Sequence, residues 1–141
     1  VRRLEEEIVA RGFSVLEGFS AQSPRSQVGM MDLTRTLRGV KRVCEVGFNA
    51  GHSALTFLLA RPDVQVLSFD LGEHGCAHAA ASILHKWFPG RLRVVWGNSL
   101  KTIPDALGVG GWAWSEGGGC DLILVDGGHE FEEALADLTN L

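Results

Sequence analysis

The chain has 141 residues, 45% of them hydrophobic and 21% charged, the balance of an ordinary soluble domain with a real core. Its formal charge is −4 with lysines and arginines scattered, so no basic footprint for nucleic acid is present. No apolar run approaches the ~20 residues needed to span a bilayer, which argues against a membrane protein.

Residues 1–11 place Leu4 and Ile8 on one face among Arg2, Glu5 and Glu6, a short amphipathic helix ending near Gly12. Ser23-Pro24 opens another turn, after which Met30, Leu33 and Leu37 share a helical face until Gly39. From there the pattern alternates. Val43–Val46 reads as a strand and Ala50–Ala60 as a helix halted by Arg61-Pro62-Asp63; Val64–Phe69 reads as the second strand. Ala77, Ala80, Ala81, Leu84, Trp87 and Phe88 keep helical spacing until Pro89-Gly90, with His78, Ser82, His85 and Lys86 on the other face. Leu92–Trp96 is a strand, Ser99–Leu107 a short helix and Leu122–Val125 a fourth strand. The last helix carries Phe131, Ala134, Leu135, Leu138 and Leu141 on one stripe.

Strict alternation of this kind implies βαβ units and a doubly wound parallel sheet, an α/β fold. Residues 1–40 then form an N-terminal helical segment and 41–141 the α/β domain. Residues 108–119 are half glycine, with Trp112 and Trp114 in their middle. Ordering such a loop costs unusual backbone entropy. The three cysteines (Cys44, Cys76 and Cys120) are odd in number and lack any Cys-x-x-Cys pair, so reduced, buried thiols in a cytoplasmic setting are expected. No charged-then-apolar leader opens the chain, in keeping with that setting.

The stretch Glu45-Val-Gly47-Phe48-Asn49-Ala-Gly51-His-Ser53 is the most informative. A strand ending in a glycine turn that opens a helix frees backbone N–H groups for a ligand, and glycine lets the ligand approach closely. Dinucleotide sites aim that helix end at a pyrophosphate, which a carboxylate at Glu45 would repel. The spacing is Gly-x-x-x-Gly, and an acid precedes it; both suit a ligand carrying positive charge and hydroxyls, such as S-adenosylmethionine.

Ligands of open parallel sheets sit outside the carboxyl ends of the strands. Asp70 ends the second strand, 23 residues after Gly47, and can accept both ribose hydroxyls of an adenosine; Leu71 follows it. Asn98 and Ser99 follow the third strand, where they either bond an adenine edge or cap the next helix. Asp126, after the fourth strand, is open to three roles: capping the last helix, binding the cofactor amine, or ligating a divalent metal. His129 sits beside it at a helix start, where the dipole disfavours imidazolium, so it can act as a general base. His52 reads as a first-turn residue, and His74, His78 and His85 as a solvated face.

These motifs resemble those of class I S-adenosylmethionine-dependent methyltransferases, most closely the small-molecule O-methyltransferase-like families with a Val-Asp-Gly-x-His segment; here that segment is Val125-Asp126-Gly127-Gly128-His129. The likeness runs from about Lys41 to Leu138. It implies a Rossmann-like sheet with strands in the order 3-2-1-4, the first four of seven. It also implies that residues 45–51 wrap the methionine part of the cofactor, Asp70 holds the ribose, Asn98 and Ser99 hold the adenine, and Asp126 is the acid after strand four. The chain departs from the family at Asn49 and Asn98, where glycine and aspartate are commoner. No metal site is expected from Asp126 alone. A small-molecule acceptor is implied, with methyl transfer to its hydroxyl. The rivals are a non-catalytic binding or assembly module and, behind it, an NAD(P)-binding oxidoreductase. A start at Val1 and a stop at Leu141 within a helical pattern read as an excerpt of a longer protein. Strand four then becomes an edge, open to a second copy or another polypeptide.

Overall fold

Apolar runs of four to six residues, with both faces covered, build the sheet at the centre of the molecule. The structure, a computed structural model, describes residues 1–15, 23–114, 118–127 and 131–141, the side chains of Phe131 and Glu133 excepted. Among the described residues two helices, α1 (Arg2–Ala10) and α2 (Pro24–Thr36), precede strand β1 (Arg42–Val46). Then come α3 (His52–Ala60), β2 (Gln65–Asp70), α4 (Gly75–Trp87), β3 (Leu92–Trp96), α5 (Ser99–Leu107), β4 (Leu122–Val125) and α6 (Phe131–Asn140). Every pairing is parallel, as the alternation predicts, and the order is β3-β2-β1-β4, as the methyltransferase resemblance implies. Helix α3 starts two residues later than the periodicity suggests, because Gly51 takes the N-cap position in a left-handed conformation.

Side chains alternate across each strand and so divide the core into two layers. Val43 and Val66 face the side covered by α1, α3 and α4, and Leu4 and Ile8 of α1 belong to this cluster. Cys44, Val46, Leu67 and Phe69 face Ile103 and Ala106 of α5.

Two expectations about faces need correcting. In α2 the buried residue is Thr34, whose hydroxyl donates to the Met30 carbonyl at 2.6 Å. Leu33 and Leu37 are exposed, because only one flank of α2 lies against α3. In α6 Asp137 is buried while Leu135 and Leu138 are more than half exposed. The helix is thus rotated relative to its apolar stripe, with Leu135 and Leu138 turned outward while Leu141 packs on the core.

Cys44 and Cys120 are not separate reduced thiols: they are bonded to each other, with Cα atoms 5.7 Å apart. Pairing of Val43 with Leu122 across β1 and β4 carries Cys120 to the start of the ladder beside Cys44, a juxtaposition that cysteine spacing does not encode. Cys76 stays outside this bond and is buried.

Candidate functional site

The carboxyl ends of β1, β2 and β4 converge because their ladders continue one bond past the strands. Gly47 N–H donates to the Phe69 carbonyl at 2.8 Å and Asp126 N–H to the Val46 carbonyl at 2.9 Å. Gly47 has φ +95°, and a Cβ there would collide with the Asp126 carbonyl, so the β1–α3 turn nests against the end of β4 only with glycine in place. Gly51, at φ +72°, would put a Cβ 2.9 Å from both Leu84 Cδ1 and Phe48 Cζ. Asn49 also has positive φ, +45°. Asparagine is one of the few residues that tolerate this, so it serves where a glycine would do.

Asp70 organises the turn. Its Oδ2 accepts the N–H groups of Phe48 and Asn49, each at 2.9 Å, and its Oδ1 accepts the Gly72 N–H at 2.8 Å. Two backbone donors of the β1–α3 turn are therefore already held by a carboxylate. A carboxylate has about four acceptor positions; with three in use, one remains open.

Glu45 plays a different part from the one expected. It lies on the α3 side of β1, fully buried, and does not face the crevice. Its oxygens accept the hydroxyls of Ser53 and Ser68, both at 2.6 Å; Ser68 is its register partner on β2. Burial raises the Glu45 carboxyl from 4.5 to about 7, opposed by the two hydroxyls and assisted by the charges of Asp70 and Asp126. Its charge at neutral pH is only partial, whereas Asp70 is the carboxylate that meets the turn itself.

The other expected site residues separate into two sets. Asp126 is exposed at the end of β4, and Leu71 is 60% exposed beside Asp70. Phe48 and Ser53 turn inward: Phe48 is buried against the edge of Trp96, centroids 6.2 Å apart, and Ser53 serves Glu45. Asn98 caps α5, its Oδ1 accepting Leu100 N–H at 2.9 Å, and Ser99 is the first residue of that helix. His129 lies outside the described residues. Among the described residues no three of His, Cys, Asp and Glu come together to hold a metal ion.

Sequence reasoning missed the aromatic wall of the crevice. Trp96, at the end of β3, packs on His78 of α4 with centroids 4.2 Å apart, and His78 Nε2 lies 2.9 Å from the Gly72 carbonyl. His78 is thus fixed against the turn that follows Asp70. The available signal was Trp96 standing directly before Gly97-Asn98-Ser99. His52 is also more than a first-turn residue. It is 4% exposed with Nε2 3.2 Å from Glu5 Oε1, close enough for an ion pair but off the line of a hydrogen bond. Burial lowers its pKa, partly offset by Glu5.

Residues 44–141 match the family model described as a methyltransferase domain. No curated protein matches the sequence. Among solved structures, the chain is similar to the SAH-bound methyltransferase PaMTH1 of Podospora anserina, with 19% identity and a TM-score of 0.70 over 97% of this chain and 55% of that one. It is similar to cofactor-bound Rv0187 from MTB, with 21% identity and a TM-score of 0.66 over 89% of this chain and 52% of that one. An O-methyltransferase family protein from Burkholderia thailandensis gives 19% identity and a TM-score of 0.56 over 86% and 35%. At these identities the likeness is one of fold. The chain spans about half the length of the first two.

Proposed function

The chain belongs to the methyltransferase-domain family, and from that premise we propose that it binds S-adenosylmethionine and forms the cofactor half of an enzyme that methylates a hydroxyl of a small molecule. The observation that carries this reading is the Asp70 clamp. With the Phe48 and Asn49 N–H groups committed to its carboxylate, the first βα turn presents negative charge where those two donors would otherwise face a ligand. Asp70 and Asp126 both act on Glu45, so the three carboxyl groups share one region of negative potential, which favours a sulfonium and an ammonium over a diphosphate.

The residues fit an adenosyl group. The remaining acceptor position of Asp70 suits a ribose hydroxyl, and Leu71 and Trp96 offer apolar surface for a purine. Bound S-adenosylmethionine supplies the electrophilic methyl group. The chain's own task is positioning: fixing the nucleoside so that the acceptor oxygen, methyl carbon and sulfur come into line. Asp126 stands at the neighbouring strand end, and with His129 it is the candidate to orient the acceptor and take its proton.

Calorimetric titration with S-adenosylhomocysteine and with NAD tests the reading. Saturable binding of the first alone supports it; binding of NAD alone removes it. A second reading, a non-catalytic binding or assembly module, draws support from β4, which stands at the edge of the sheet with Ile123 37% exposed. S-adenosylhomocysteine binding together with association through that edge, and no methyl transfer to any of a panel of hydroxylated acceptors, is the outcome that favours it.

A further inference from the structure

At the amino ends of the strands, opposite the crevice, lies a second concavity of about 520 Å³. Register explains its lining. Arg42 pairs with Gln65, Cys44 with Leu67, and Leu67 with Arg93. With alternate side chains on opposite faces, Arg42, Leu67 and Arg93 share the α5 face of the sheet. Helix α5 covers the carboxyl half of that face through Ile103 and Ala106. The segment after it turns back over the amino half, tied by Ala113 N–H to the Ala106 carbonyl at 3.0 Å. Arg93 then lies 5.1 Å above the Trp112 ring and Arg42 5.4 Å above Trp114.

Among the described residues that line it, the charge of this cleft is one-sided. Lys41, Arg42, Arg91 and Arg93 line it, against Asp63. Both Asp63 oxygens are already held by Arg61, at 3.0 and 2.7 Å. Arg91 donates to the carbonyls of Leu58, Arg61 and Val64, and Arg93 uses Nη1 on those of Trp112 and Ala113. Neutral carbonyls orient a guanidinium without cancelling its charge. The Nε and Nη2 groups of Arg93 have no partner among the described residues. The indole N–H of Trp114, on the same wall, is buried with no acceptor among the described residues, and a buried unpaired donor is the exception in folded proteins.

We propose that this cleft binds a compact oxyanion carrying two or more negative charges, held by Arg93, Lys41 and the Trp114 indole N–H. The lining cations outnumber the one lining carboxylate, which Arg61 already holds, and this excess favours a ligand with more than one negative charge. The chain's net charge of −4 argues against an extended polyanion such as nucleic acid. Phosphates and polycarboxylates share the required chemistry.

The test is titration with inorganic pyrophosphate and with citrate, read by tryptophan fluorescence and calorimetry against sodium chloride at matched ionic strength. Saturable binding of one equivalent of either is expected, and the tighter of the two identifies the source. Arg93→Gln, an exposed site, weakens it at least about tenfold, and Trp114→Phe, which keeps a ring but removes the donor, weakens it several-fold. Arg93→Lys restores most of the affinity, which separates lost charge from lost packing. A response no greater than that to chloride, an affinity unchanged in both Arg93→Gln and Trp114→Phe, or no recovery in Arg93→Lys overturns the proposal.

Discussion

Replacing Glu45 by glutamine isolates the cost of burying its carboxyl. In the folded chain the group titrates at about 7 instead of the ordinary 4.5, chiefly through desolvation. Between those values the native state keeps a proton that the unfolded state has lost, so stability falls as pH rises. At about 1.4 kcal/mol per pH unit, the interval from 4.5 to about 7 amounts to about 3 kcal/mol. That is a large share of the roughly 5–15 kcal/mol that stabilises a domain. Glutamine is isosteric with the protonated acid and can still meet the Ser53 and Ser68 hydroxyls, yet it cannot ionise. The assay is equilibrium urea unfolding of both proteins from pH 4.5 to 8.5. The glutamine variant should match the parent near pH 4.5 and exceed it by about 3 kcal/mol at pH 8.5. Subtracting the two curves removes the titration of groups common to both. A difference that stays flat, or narrows as pH rises, would show that Glu45 is charged and well solvated, and the reasoning fails.

Other predictions follow from the turn and the cysteine pair. Asp70→Ala should weaken S-adenosylhomocysteine binding by about 1.5–3 kcal/mol for each charge-assisted bond lost, and Asp70→Asn by less, measured by calorimetry; unchanged affinity in both removes Asp70 from the site. Gly47→Ala puts a Cβ against the Asp126 carbonyl at φ +95° and should cost about 3 kcal/mol in urea unfolding. Denatured without reductant, the chain should titrate one free thiol, that of Cys76; three would mean that Cys44 and Cys120 are not joined. Reducing that bond, which spans a sequence separation of 76, should lower stability by about 2–4 kcal/mol.

The sequence carried whatever local periodicity and turn chemistry can encode. Alternating apolar runs and helical stripes predicted the βα order and the parallel sheet, and Gly47 and Gly51 marked the sharp turn. The distance from Gly47 to Asp70 located the acid at the neighbouring strand end. These are properties of residues near one another in the chain, where backbone preference decides. What the sequence left open depends on register, because a one-residue slip turns every side chain to the other face. Only the folded sheet buries Glu45, and that burial neutralises in part a carboxyl that reads as an exposed charge, against the opposing pull of the Ser53 and Ser68 hydroxyls. Only the β1–β4 ladder brings Cys120 to Cys44, and only the turn-back after α5 gathers Arg42, Arg93 and Trp114 into one basic cleft. Asp137 buried while Leu135 and Leu138 face outward has the same origin: packing against β4 and α5, not the helix's own apolar stripe, sets the rotation of α6.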